Sequence, residues 1–184
     1  IVRRLVGSEM CIRDRSRGVE KIIEHFLKIK FEKEVELHIF GGPMSKVENL
    51  KRHYSNENLF IYGHLKRLIL SEELATSHIG ILTNEKSTHS QRHTSPLKYF
   101  EYLGSGLKVL ATDAPAHRSL PHQNQLYFFN LEDINSFKMS INLAIDEIPK
   151  KDNINLQKLT IDYRTKQIIK LIFARPEGLE PSTP

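Results

Sequence analysis

The apolar positions along this chain alternate between two rhythms. From Arg17 to about Glu32, Val19, Ile22, Ile23, Phe26 and Ile29 recur at three- and four-residue spacing, which predicts an amphipathic helix with a charged outer face. Val35 to Phe40 then reads as a short strand ended by Gly41-Gly42-Pro43. Ser45 to Tyr54 predicts a helix with Ser45 as N-cap and Glu48 three residues on, a capping box. Asn58 to Gly63 is a second strand, Ser71 to Ser77 a polar helix and Ile79 to Leu82 a third strand. Thr83 to Thr94 is polar and aperiodic, a loop long enough to be functional. Pro96 opens the next helix, where its missing N–H costs nothing, and Gly104 and Gly106 close it. Val109 to Thr112 and Leu126 to Phe129 are the fourth and fifth strands. Asp133 caps a helix through Ile145, and a last helix near Leu159 to Phe173 offers Ile161, Ile168, Ile169 and Ile172 to a core.

Short apolar strands separated by helices call for a parallel sheet covered on both faces. With right-handed crossovers this is an α/β, Rossmann-like three-layer domain. In such sheets ligands sit beyond the carboxyl ends of the strands. That directs attention to Thr94-Ser95-Pro96-Leu97-Lys98, which enters a helix carrying Glu101. Free N–H groups at Ser95 and Leu97, the helix dipole and Lys98 would cradle an anion such as pyrophosphate, and Glu101 could accept from a ribose diol. The plainer reading of the same residues is a capped helix with a surface Lys and a buried Glu.

Composition narrows the partners. The 184 residues carry 27 Lys+Arg against 22 Asp+Glu, a charge of +5 that suits any polyanion, a nucleotide diphosphate included. No basic and aromatic residues interleave as in single-strand binders, so nucleic acid is not expected, and Lys66-Arg67 and Lys150-Lys151 read as solvated faces. A single cysteine, Cys11, excludes an internal disulfide and a cysteine-based zinc site. His89 and His93 lie four apart but in a loop, with no third ligand, so no metal site is expected. His117 and Arg118 are further candidates for the same cleft.

Two terminal segments read as foreign to the domain. Leu5 to Asp14 back-translates without a gap to a sequence that looks like a transposase-type sequencing adapter, and ARPEGLEPSTP, Ala174 to Pro184, resembles translation of the strand complementary to a transfer-RNA gene. The expected organisation is therefore a non-native segment at 1–15, one domain over 16–173 and a non-native or disordered tail at 174–184.

TSPLKYFEYLGSGLKVLATDAPAHRSL, Thr94 to Leu120, resembles the donor-binding segment of glycosyltransferase family 4-like enzymes, in the C-terminal half of their GT-B fold. RGVEKIIEHF, VELHIFGGP and NLFIYGHL agree with the family's upstream elements in the right order. The resemblance implies a metal-independent glycosyltransferase that moves a sugar from a nucleotide-diphosphate donor to an acceptor. It needs no cofactor, and its donor is a nucleotide sugar. Glu101 would hold the ribose, Thr94, Ser95, Leu97 and Lys98 the diphosphate, and Arg17 the phosphate as well; Gly63 and His64 would line the base. His93 stands where the family's first carboxylate is expected. The same resemblance implies an N-terminal Rossmann-like domain missing from this chain, in which any catalytic base would lie, so that the fragment alone would transfer nothing. It also implies a cytoplasmic setting, compatible with peripheral attachment to the inner face of a membrane. The alternatives are a GT-B nucleotide-sugar epimerase and a non-catalytic Rossmann-like binding domain.

Overall fold

The computed structural model describes residues 2–7, 18–84 and 97–148, together with 162, 163, 165, 166 and 169. Contacts divide the chain into two units, Ile1–Asp152 and Asn153–Pro184. In the second unit the five described residues are helical, and Ile169, expected in the core, is 47% exposed. Ile161, Ile168, Ile172 and the tail 174–184 lie outside the described residues.

The first unit is built on a six-stranded sheet in the order β3-β2-β1-β4-β5-β6. The strands are β1 (Arg3–Gly7), β2 (Val35–Ile39), β3 (Leu59–Ile61), β4 (Ile79–Leu82), β5 (Lys108–Thr112) and β6 (Leu126–Phe129). Every pairing is parallel. Among the described residues six α-helices accompany them: α1 (Val19–Lys28), α2 (Met44–His53), α3 (Arg67–Ala75), α4 (Leu97–Gly104), the single turn α5 (Pro115–Arg118) and α6 (Ile134–Asp146). This is the expected α/β class, with one strand more than the sequence reading gave.

That extra strand corrects the domain boundary. Arg3–Gly7, assigned above to a segment outside the domain, is a central strand, paired with β2 on one side and β4 on the other. Leu5 and Val6 are completely buried. Without β1, the hydrogen-bonding edges of β2 and β4 would face each other with no partner between them, at a cost for each buried amide and carbonyl. Residues 8–15 lie outside the described residues.

Alternate residues of each strand face opposite layers. Leu5, Leu37, Ile39, Ile61, Ile79, Ile81, Leu110 and Phe129 meet α1, α2 and α6 in one continuous core. Helix α1 buries Val19, Ile22, Ile23 and Phe26, the stripe its periodicity predicts. On the other face Tyr102 of α4 packs so closely over Gly80 that a Cβ there would meet the ring at 2.3 Å. Only glycine allows that approach.

Two helix starts differ from expectation. The N-cap of α2 is Pro43, not Ser45, and no side chain caps it. Gly41 and Gly42, at φ 100 and 83, turn the chain sharply, and the Pro43 carbonyl accepts from the Lys46 and Val47 N–H groups. Ser45 is thereby already inside the first turn. Helix α3 starts at Arg67 rather than Ser71; its first turn exposes Leu68 (79%) and Ile69 instead of burying them, so no apolar stripe marks the boundary in the sequence.

The cap of α6 is as read: the Asp133 carboxylate accepts from the Asn135 N–H at 2.8 Å. Asp133→Ala is expected to cost about 1 kcal/mol in urea denaturation, with Asp133→Asn retaining most of the stability.

Candidate functional site

In a parallel sheet all carboxyl ends lie along one edge, and the order found here reverses between β1 and β4, a topological switch point where ligands of doubly wound sheets bind. The segments at that edge are Gly41-Gly42 after β2, Tyr62-Gly63-His64 after β3, Thr83-Asn84 after β4, Thr112-Asp113 after β5 and Asn130 to Glu132 after β6. A hollow of about 400 Å³ beside Lys30 to Val35, Asn56 and Asn58 is larger than the cleft on this edge, but it lies at the amino ends of β2 and β3. We assign the site to the carboxyl edge because there helix N-termini and loop amides converge.

Helix α4 returns from this edge with Tyr99, Tyr102 and Leu103 buried against the sheet. Its other face carries Leu97, Lys98 and Glu101. The Lys98 ammonium lies 3.0 Å from a Glu101 carboxylate oxygen, one helical turn on. Burial is the reverse of the plainer sequence reading: the Lys98 side chain is 15% exposed and that of Glu101 48%. The ammonium thus lies along the helix while the carboxylate meets solvent.

Gly63 and His64 occupy the same edge at the outer strand. The Gly41 N–H donates to the Gly63 carbonyl at 3.1 Å, tying the two turns together, and His64 is exposed. Gly63 follows β3, and β4 lies three strand spacings away along the sheet, roughly 14 Å. Arg17, His93, Thr94 and Ser95 lie outside the described residues.

Sequence reasoning missed a buried polar network between the ends of β4 and β5. The Asn84 N–H donates to Thr112 Oγ1 at 2.9 Å. His117 Nδ1 lies 2.7 Å from the Thr112 carbonyl, which can only accept, so this nitrogen carries the proton. Nε2 then accepts from the Asn84 amide at 3.4 Å. Burial, more than any other influence, holds His117 below the ordinary imidazole value of 6.5 and keeps it neutral. His117 therefore does not face the cleft as a charge; it fixes the start of the segment that leads to α4. Beside it Asp113 accepts from Arg118 Nε and Nη2 at 2.8 and 2.9 Å, and Arg118 lies over the Phe128 ring. Hydrogen bonding to Arg118 holds the Asp113 carboxyl below its usual range.

His38 and His78 are also held below 6.5, chiefly by burial. Each of these three histidines is more basic in the unfolded chain, so their contribution to stability is complete above about pH 6.5 and is lost as pH falls from there through the lower folded-state values. Thermal midpoints are expected to be level between about pH 7 and 8 and to fall progressively toward pH 5. His117→Gln should flatten part of that fall.

Among the described residues no group of three or more His, Cys, Asp or Glu is placed to hold a metal ion, and no helix is long and apolar enough to cross a membrane.

Comparison with known proteins fits this geometry. HepE from Anabaena, solved in complex with UDP and glucose, superposes with a TM-score of 0.66 at 14% identity, over 91% of this chain and 47% of that one. The lipopolysaccharide outer core galactosyltransferase WaaB gives 0.61 at 15% identity, over 94% and 48%. The UDP-forming α,α-trehalose-phosphate synthase from Burkholderia xenovorans, in complex with glucose-6-phosphate, gives 0.56 at 13% identity, over 78% and 36%. At these identities the likeness is one of fold, and this chain spans half or less of each of these proteins. No curated protein matches in sequence. Residues 6–147, from inside β1 to the end of α6, match the family described as glycosyl transferases group 1, and the chain belongs to that family.

Proposed function

We propose that this chain is the donor-binding part of a glycosyltransferase, holding the nucleotide-diphosphate portion of a sugar donor along the carboxyl edge of its sheet. The observation that carries the reading is the Lys98–Glu101 pair on the outer face of α4, beside the switch point. Glu101 would accept from the ribose hydroxyls, and the α4 N-terminus and Lys98 would face the diphosphate. In the free protein each of the two charges neutralises the other. Binding would exchange that contact for Lys98 on phosphate and Glu101 on ribose. Gly63 and His64 would lie under the base, with Thr94, Ser95 and Arg17 adding donors to the phosphates and His93 near the donor sugar.

Glycosyl transfer leaves negative charge on the departing diphosphate, so donors and cations that strengthen as the bond breaks lower the barrier. Lys98 and the N-terminus of α4 would supply that function. The groups that activate an acceptor would come from another domain of a longer protein, a reading supported by the share of each solved relative that this chain covers. The substrate would be a nucleotide sugar, with neither metal nor cofactor required.

Calorimetric titration with UDP, GDP and ADP tests this. At least one is expected to bind in the micromolar to millimolar range. Absence of binding by all three to the folded protein at millimolar concentration would contradict the proposal.

A further inference from the structure

Helix α4 is fastened at two points three residues apart, and packing on the sheet accounts for one of them. Tyr102 lies over Gly80 and donates to the Ile81 carbonyl, which holds the carboxyl half of the helix to β4. Tyr99, in the first turn, is also completely buried, and burial pushes its hydroxyl well above the usual phenol range. A buried phenol keeps its proton and needs an acceptor for it. Tyr99 donates to the Pro121 carbonyl, with the His122 carbonyl 3.3 Å away.

Both carbonyls lie in the connection from α5 to β6, whose shape is fixed by its own hydrogen bonds. His122 takes a left-handed backbone, φ 55 and ψ 50, a region that residues other than glycine rarely adopt and that marks a conformation imposed by its surroundings. Its carbonyl also accepts from the Gln125 N–H at 2.9 Å. The Gln123 side-chain NH2 lies within 3.3 Å of the His117, Arg118 and Leu120 carbonyls, so it caps the end of α5 and folds the connection back onto it. Helix α5 is in turn tied to the sheet through His117, whose ring bonds to Thr112 and Asn84. A continuous strut thus runs from the ends of β4 and β5, through α5 and Gln123, to the Tyr99 hydroxyl.

Tyr99 stands next to Lys98 and two residues before Glu101. The ion pair of those two side chains lies along the helix, so the place of both charges follows the first turn of α4.

We propose that Tyr99 is a positioning residue for nucleotide binding: its hydroxyl, held by the carbonyls of Pro121 and His122, sets the first turn of α4 and with it Lys98 and Glu101. It acts through those two residues and does not touch the ligand. The inference rests on the donor-binding reading of Lys98 and Glu101.

The test uses the full chain. Tyr99→Phe keeps the buried ring and removes the hydroxyl; Pro121 is exposed, so water can take over at its carbonyl, and the melting temperature is expected to change little. Calorimetric affinity for whichever of UDP, GDP and ADP binds is expected to fall about fivefold to tenfold. The backbone amide NMR signals of Lys98 and Glu101 should move in the ligand-free variant. Tyr127→Phe is the control: it removes a comparable hydroxyl bond, 2.9 Å to Glu147 at the end of α6, and should leave nucleotide affinity unchanged. Gln123→Ala loosens the same strut without touching α4. It is expected to weaken nucleotide binding as well, and the double variant with Tyr99→Phe to bind no more weakly than Tyr99→Phe alone, a non-additivity that a general loss of stability does not produce. Nucleotide binding by the wild type with unchanged affinity in Tyr99→Phe, or equal losses in Tyr99→Phe and Tyr127→Phe, would overturn the role of Tyr99 and leave the nucleotide reading standing. Absence of binding by all three nucleotides in the wild type would overturn the nucleotide reading, and this role with it.

Discussion

Gly80→Ala is expected to destabilise the protein by about 3 kcal/mol or more, the upper range for overpacking a core. The added methyl would lie 2.3 and 2.4 Å from Cδ2 and Cγ of Tyr102, inside any tolerable contact. These atoms are not the free end of a flexible side chain. Tyr102 is 1% exposed, and its hydroxyl donates to the Ile81 carbonyl at 3.4 Å. Relief therefore requires α4 to lift from β4, and α4 bears Lys98 and Glu101. Urea denaturation should show a lower midpoint with little change in slope. Gly104→Ala is the control: nothing lies within 4 Å of its added Cβ, and its position at the end of α4 makes the change neutral or stabilising by a few tenths of a kcal/mol. Equal stability of Gly80→Ala and the wild type would mean that α4 does not pack on the sheet as described.

Glu101→Ala carries the largest expected effect on binding. Loss of charge-assisted hydrogen bonds to a ribose diol is worth roughly 1.5 to 3 kcal/mol, or about tenfold to a hundredfold in nucleotide affinity. Because the carboxylate is half-exposed and its partner Lys98 is on the same helix, the substitution leaves the core intact, and the melting temperature should move little. On the proposed reading, in which Lys98 faces phosphate rather than sugar, Lys98→Met should instead reduce the salt dependence of binding. Unchanged affinity in Glu101→Ala would remove Glu101 from the site.

Helix α1 was legible because Val19, Ile22, Ile23 and Phe26 fall on one helical stripe, and β4 because Ile79 to Leu82 is a short run without a polar side chain. Strand β1 was not. Arg3 and Arg4 give it a charged start, and only Leu5, Val6 and Gly7 remain to signal burial, too few for a periodicity. What makes it a strand is the pair of neighbours on either side, a tertiary cause that no local pattern carries. Gly80 hid in the same way, since a glycine in a strand marks a close approach without naming what approaches.

At the site, the Lys98–Glu101 pair could be read from a three-residue spacing inside one helix. The cleft between the ends of β4, β5 and β6 could not, because Asn84, Asp113 and Asn130, which line it, come from three separate segments that only the parallel sheet aligns. His117 was visible as a candidate, but its role depends on the Thr112 carbonyl and the burial that keep it neutral.

On the proposed reading a nucleotide diphosphate binds along the carboxyl edge of the sheet and over α4. Amide NMR shifts mapped during a UDP titration test it most directly. The largest shifts are expected at Gly63, His64, Leu97, Lys98 and Glu101, and none at Lys33, Asn56 or Asn58 around the larger hollow at the opposite edge. Shifts confined to that hollow, or none at α4 with UDP bound, would contradict it.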